Sequence, residues 1–290
     1  MSQRLKDRDD LGFYTNMLFE DFSNLGLRGP FWRPAYVELG GAAATRDGRD
    51  DALVSLLDGY GQYGREDAQQ LLRDYYSFCG SDILFYGASR AQVVPGLAGV
   101  DDEADDSPER LSLVRMVPWE SSDGEPQPIA EGALVGHVLE VKLEKARSKE
   151  IGKAVAHLKE YDRRRPLETF DVLKVPEYDF TQHRRIMDRR LARATRCLGW
   201  DGRGLYLDRA TSGYRVYRRL RFRAFQLEVL EVALEALNEV TRRLPDDPFE
   251  IRLPHSQNRS ELQLVERRMG TGEISVDEAQ KFLHSDIEWR

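Results

Sequence analysis

Residues 212–244, SGYRVYRRLRFRAFQLEVLEVALEALNEVTRRL, read as one unbroken helix that starts near Ser212 and stops before Pro245. At 1.5 Å per residue such a helix is about 50 Å long. Its two halves differ in chemistry. The first carries Arg215, Arg218, Arg219, Arg221 and Arg223. The second is apolar on two faces, with Phe222, Phe225, Val229, Val232 and Val240 in one row and Leu227, Leu230, Leu234 and Leu237 in another. A helix coated in this way has to pack between neighbours, so this element organises whatever surrounds it.

Upstream, residues 182–198 show the complementary pattern. Met187, Leu191, Ala194 and Leu198 fall on one helical face, while Arg185, Arg189, Arg193 and Arg196 fall on the other. Gly199 ends that helix, and a loop with Gly202, Arg203, Gly204, Arg209 and Gly213 leads into the long one. Together, residues 184–223 hold thirteen arginines against three acids in a protein of net charge −7. The block is therefore about +10 and the remainder about −17. Three readings are open for it: contact with nucleic acid, an electrostatic surface between subunits, or a solvated face. Trp200, Tyr206, Tyr214 and Tyr217 interleave with the arginines, as stacking on single strands would require, although aromatics at helical spacing also serve cores.

The rest of the chain is expected to mix helix and strand. A helical pattern covers residues 65–78, and SDILFYG at 81–87 has the apolar content and bounding glycine of a short buried strand. Residues 99–109, acidic and turn-rich, mark a soft boundary. Residues 111–117 and 136–143 read as strands of a β-hairpin with a long loop. Residues 148–164 read as a helix with Ser148 as N-cap and Pro166 as stop, and 169–175 as a further strand. The tail offers a helix at 260–269, a Gly-Thr-Gly turn, and Ser275 to Glu278 at capping-box spacing. The fold class expected is α+β, predominantly helical. The expected units are 1–108, 109–175, 176–244 and 245–290.

Composition bounds the function. With 290 residues, 41% hydrophobic and 32% charged, the chain can bury one large core or two moderate ones. The start, MSQRLKDRDD, is charged where a secretory signal needs an apolar stretch, and no run approaches the roughly 20 apolar residues of a membrane span, so a soluble cytoplasmic product is expected. Cys79 and Cys197 are spaced for neither a disulfide framework nor a metal site, and five scattered histidines add no ligand pair. The glycines around Gly202 form no nucleotide-binding signature, so no cofactor is expected.

One spacing does suggest chemistry. Glu140 and Lys142 stand two apart in the strand VGHVLEVKL and so share a face, where a Mg²⁺-binding carboxylate and a charge-stabilising lysine would converge on one phosphate. This resembles the E-x-K half of restriction-endonuclease-like nucleases. That family also uses an acid on the preceding strand, for which the candidates are Asp123, Glu125 and Glu131, all in the loop. The alternative is a pair of surface charges on a strand edge.

From residue 111 to 283 the order of elements resembles that of bacteriophage portal, or head-tail connector, proteins. The segments that carry the resemblance are MDRRLARATRCLG, the loop GRGLYLDRATSGYR, the long helix YRVYRRLRFRAFQLEVLEVALEALNEV and the terminal GEISVDEAQ. The resemblance implies a ring-forming α+β subunit, usually dodecameric, acting without catalysis at the virion vertex. Double-stranded DNA would pass through its channel, and its partners would be further copies of itself, the capsid, the terminase and tail adaptor proteins, with no membrane. Arg185, Arg189, Arg193, Arg196, Arg203, Arg209, Arg215, Arg218 and Arg219 would then meet DNA or a neighbouring subunit. A ring would also supply neighbours for both apolar faces of the long helix.

Overall fold

A computed structural model describes residues 12–23, 35–38, 46–61, 67–95, 114–119, 135–163, 189–204, 211–244, 248–252 and 258–288. In chain order the helices are α1 (Phe13–Ser23), α2 (Arg46–Leu57), α3 (Ala68–Tyr86), α4 (Lys145–Arg163), α5 (Ser212–Thr241), α6 (Arg259–Thr271) and α7 (Val276–Glu288). The strands are β1 (Ala35–Glu38), β2 (Ala88–Pro95), β3 (Val114–Pro118), β4 (Val138–Lys142) and β5 (Phe249–Arg252). Residues 189–194 add a short helix. The architecture is α+β and predominantly helical, with two small antiparallel sheets among the described residues.

The 212–244 stretch forms α5, entered through Thr211, whose hydroxyl accepts the Tyr214 N–H at 3.2 Å. Both apolar rows are covered, but from within the same chain. Helices α3, α6 and α7 and strands β4 and β5 pack on α5 and bury Phe225, Val229, Val240, Leu227, Leu230, Ala233 and Leu237. The expectation that a ring neighbour covers these faces is therefore corrected. Two polar contacts pin the packing: the Tyr75 hydroxyl donates to the Ala233 carbonyl at 2.9 Å, and the buried Asn238 acts as a third strand beside β5. Its Nδ2 donates to the Ile251 carbonyl at 3.0 Å, and its Oδ1 accepts the Ile251 N–H at 2.8 Å.

Residues 81–87, expected as a strand, are the end of α3 followed by its glycine cap. Asp67 caps the start by accepting the Gln70 N–H at 2.7 Å, and the helix runs on to Gly87, whose φ of 83° only glycine adopts at low cost. The apolar run that imitates a strand is a stretch of helix buried nearly all round, from Cys79 to Leu84, between α1, α4, α5 and β2. The strand follows the glycine.

That strand, β2, is central in a sheet ordered β3-β2-β4, with Val93 opposite Met116 on one side and Arg90 opposite Glu140 on the other. The expected hairpin between β3 and β4 is thus split by a strand from the N-terminal third. Ala91, Val93, Met116, Leu139 and Val141 face the core, while Arg90, Glu140 and Lys142 face outward. Helix α4 begins at Lys145, three residues before Ser148. Ser148 is not the cap: its N–H makes a helical bond to Glu144 and its hydroxyl donates to the Leu143 carbonyl at 3.3 Å. Near its other end Asp162 caps a different helix, α1, by accepting the N–H groups of Tyr14 and Thr15, both at 2.9 Å.

The expected divisions at 108 and 244 are bridged. β1 pairs with β5, β2 pairs with β3 and β4, and the buried residues form one cluster. The capping box at Ser275 forms as expected, Glu278 accepting the Ser275 N–H at 2.7 Å and Ser275 Oγ accepting the Glu278 N–H at 3.2 Å. The strand expected at 169–175 lies outside the described residues. No helix among the described residues is long and apolar enough to cross a membrane. Because Asn238 satisfies two buried backbone groups, Asn238→Ala is expected to cost about 2–4 kcal/mol in urea unfolding; a change below about 0.5 kcal/mol would contradict its role as a surrogate strand.

Candidate nucleic-acid interface

The short 189–194 helix and the tight turns after it bury Leu191, Thr195 and Leu198 and expose Arg189, Arg190, Arg193 and Arg196. The one-sided stripe expected from the sequence is present there. Among the described residues, none of these four guanidinium groups meets a carboxylate or other side-chain partner. Arg185 and Arg209 lie outside the described residues.

The other arginines are engaged inside the molecule, and Arg218 most of all. It is fully buried, which corrects its assignment to a contact surface. Its Nη1 donates to the Ala192 carbonyl at 2.9 Å, and its Nη2 donates to Thr195 Oγ1 at 2.8 Å and to the Trp200 carbonyl. The guanidinium thus satisfies acceptors left over where the short helix ends. Gly199 makes the approach possible. Its φ is 77°, and a Cβ there would lie 2.4 Å from the Phe222 nitrogen and 2.5 Å from the Arg218 carbonyl oxygen.

Arg203, itself at φ 55°, donates through Nε to Asp21 at 2.7 Å and through Nη2 to Glu20 at 2.9 Å, tying the loop to α1. Arg219 Nε donates to Asp201 at 3.1 Å. Arg221 lies 3.5 Å from Glu266 and over the Tyr217 ring, while Arg215 is half-buried on the first turn of α5. Trp200, a candidate for base stacking, is buried and donates its indole N–H to Asp21 at 2.8 Å. Tyr214 and Tyr217 stack on each other at 6.2 Å, and Tyr206 lies outside the described residues.

The signal for Arg218 was available in the helix period: stepping back from Phe225 and Phe222 by three and four residues reaches it on the same inward row. Nothing local could have signalled the role of Asp21, which lies 182 residues from Arg203.

Glu140 and Lys142 do share the exposed face of β4. The position across from Glu140 on β2 is filled by Arg90, whose Nε and Nη2 donate to Glu140 Oε1 at 3.2 and 3.0 Å, while Lys142 donates to Oε2. The Lys142 ammonium and then the Arg90 guanidinium hold the Glu140 carboxyl below its usual range. A carboxylate between two cations is an ion-pair cluster. Asp123, Glu125 and Glu131 lie outside the described residues.

Among the described residues no group of three or more His, Cys, Asp or Glu side chains could hold a metal ion. Both cysteines are free thiols: burial pushes Cys79 up to about 12 and also raises Cys197, so both are poor nucleophiles. No protein-family model, curated protein or solved structure matches this chain.

The sorting of arginines separates two variants. Arg218→Met, which leaves three acceptors without their donor, is expected to cost about 3–5 kcal/mol in urea unfolding, whereas Arg193→Gln should stay within about 0.5 kcal/mol of the parent. Equal effects would refute the division. For Glu140 the folded carboxyl titrates lower than the unfolded one, so its contribution is present above about pH 4.3 and lost as pH falls through the folded value. Solvent screening limits it to about 1 kcal/mol at most. The stability gap between parent and Glu140→Gln should be open at neutral pH and close as the pH falls through the lowered folded value; a gap independent of pH would show that charge is not its source.

Proposed function

We propose that this chain is a structural subunit of a portal-like ring through which double-stranded DNA passes, acting by contact and not by catalysis. One observation carries the reading. Within a protein of net charge −7, four exposed guanidinium groups on one short segment are left without acid partners among the described residues, although acids elsewhere in the same chain engage Arg203, Arg219 and Arg221. Unpaired arginines cost solvation only when something covers them, and a polyanion covers them at a gain, since each phosphate contact releases counterions.

The order of elements adds support. A short basic segment, a glycine-containing loop, a thirty-residue helix and a capped terminal helix follow one another as in the portal layout. Because both apolar faces of α5 are closed within the chain, the ring reading rests on the stripe and on this order. The nuclease reading of Glu140 and Lys142 has weaker support, since Arg90 stands where a second carboxylate would be useful.

Native mass spectrometry with negative-stain imaging, at micromolar concentration in low and moderate salt, tests the ring. A closed oligomer with a central channel is expected. A strict monomer under all these conditions would overturn it.

A further inference from the structure

Helices α4, α5 and α6 border a cleft of about 350 Å³, at the small end of the range for ligand pockets. The three helices lie alongside one another there. Arg221 on α5 is 3.5 Å from Glu266 on α6, and Glu228 on α5 is 4.0 Å from Arg259 at the start of α6, so α6 runs antiparallel to α5. The start of α4 does the same. His137, just before β4, lies 3.3 Å from Glu239 near the end of α5, while Cys197, whose Sγ is 3.8 Å from the Glu150 carbonyl oxygen, is followed by Gly199 packed against Arg221 and Phe222. The chain therefore passes from Glu144 to Glu150 as α5 is followed back from Glu228 to Arg221.

This register gives the cleft two like-charged ends. Glu150, Arg221 and Glu266 line one end, and Glu144, Glu228 and Arg259 line the other. Each end holds two carboxylates and one guanidinium, and so one unbalanced negative charge. The seven residues from Arg221 to Glu228 set the ends about 10 Å apart. Between them Ala146, Ala224 and Phe225 form an apolar middle, crossed by Arg147, whose guanidinium lies over the Phe225 ring at 5.0 Å and reaches Glu150 and Glu228, both at 3.3 Å. Glu231, 3.6 Å from Arg259, adds a further acid at the second end, and burial raises its carboxyl even beside that guanidinium.

The carboxylates also keep acceptor positions open. None of the ion pairs around the cleft closes below 3.3 Å, whereas Arg203 comes within 2.9 Å of Glu20 and Arg242 within 2.7 Å of Glu235. Glu144 is exposed and, among the described residues, has no side-chain partner. The separation of the ends selects the ligand. A single metal ion cannot serve acids about 10 Å apart, and an anion would meet excess acid at either end. Two cationic groups joined by an apolar chain match both ends and the middle.

We propose that this cleft binds a linear aliphatic diamine or polyamine, with one ammonium group among the carboxylates at each end and the methylene chain along Ala146 and Ala224. Each ammonium brings three donors to the open acceptor positions. None of Arg189, Arg190, Arg193 and Arg196 lines the cleft, so the site requires neither DNA nor the ring.

Isothermal titration calorimetry on the full chain at low salt, with hexamethylenediamine as the probe, tests the site. Saturable binding is expected, about tenfold or more tighter than that of hexylamine, which offers one ammonium as a lysine side chain of a protein partner would. Glu144→Gln and Glu150→Gln each remove one carboxylate, at opposite ends, and each is expected to weaken the diamine about tenfold. Hexylamine should change much less, since one ammonium can use the other end. Both side chains are exposed, and that of Glu144 has no partner among the described residues, which keeps the comparison clear of folding. Equal affinity for the two amines overturns the two-ended site, as does diamine binding that neither variant alters. Adipate, the dianion of similar length, binding as tightly as the diamine overturns the charge assignment. Displacement of the diamine by Mg²⁺ at equal concentration, or no saturable binding at millimolar diamine, overturns the site altogether.

Discussion

Helix α5 is apolar on two faces, and the arrangement of the protein follows from having to cover both. Each buried leucine, valine or phenylalanine on it is worth about 1.5–3 kcal/mol, against about 0–1 kcal/mol for an exposed pair such as Arg219 with Asp201. The burial term therefore decides the topology. Covering both faces draws α3 from the first third of the chain and α6, α7 and β5 from the last, with β4 between them in sequence. Once α3 lies against α5, β2 follows it into the middle of a sheet whose other strands come from later in the chain. That is why strand pairs and the buried cluster cross the boundaries drawn at composition changes.

The same constraint sorts the arginines. The inward row of α5 runs back from Phe225 through Phe222 to Arg218, so a guanidinium is carried into the interior. It is tolerated there because the 195–200 turn supplies a hydroxyl and the Trp200 carbonyl and the short helix supplies the Ala192 carbonyl, and Gly199 lets that turn come close. Bonding to Arg218 fixes the turn, and the fixed turn leaves Arg189, Arg193 and Arg196 pointing away from the core. The buried arginine is what makes the exposed ones a stripe. An arginine serves here better than a lysine would, since its planar fork can reach acceptors on either side of the turn at once.

Much of this was legible in the sequence wherever the signal is local. The extent of α5, its basic head, the exposed stripe and the capping box at Ser275 all follow from period and punctuation within one segment. What could not be read was non-local. Residues 81–84 are buried on every side, Ser81 and Asp82 included, because several elements surround the end of α3, and a short run buried all round looks alike in helix and strand. The pairing of β3 and β4 looked like a hairpin because the strand that separates them stands earlier in the chain. Asp21, which receives both Trp200 and Arg203, has nothing in its neighbourhood to mark it.

Glu140 and Lys142 show how a motif correct in its geometry can still lack its chemistry. The two do share a face, as strand alternation requires. What the spacing does not specify is the residue across the ladder, and that residue is Arg90. With a guanidinium and an ammonium on its two oxygens, the carboxylate is drawn toward its ionised state and away from the open coordination that a divalent cation needs. The exposed arginines of 189–196 present the reverse situation, charges with no side-chain partner among the described residues. In a chain carrying excess acid, that difference leaves the Glu140 cluster closed among its own side chains and the 189–196 stripe open at the surface.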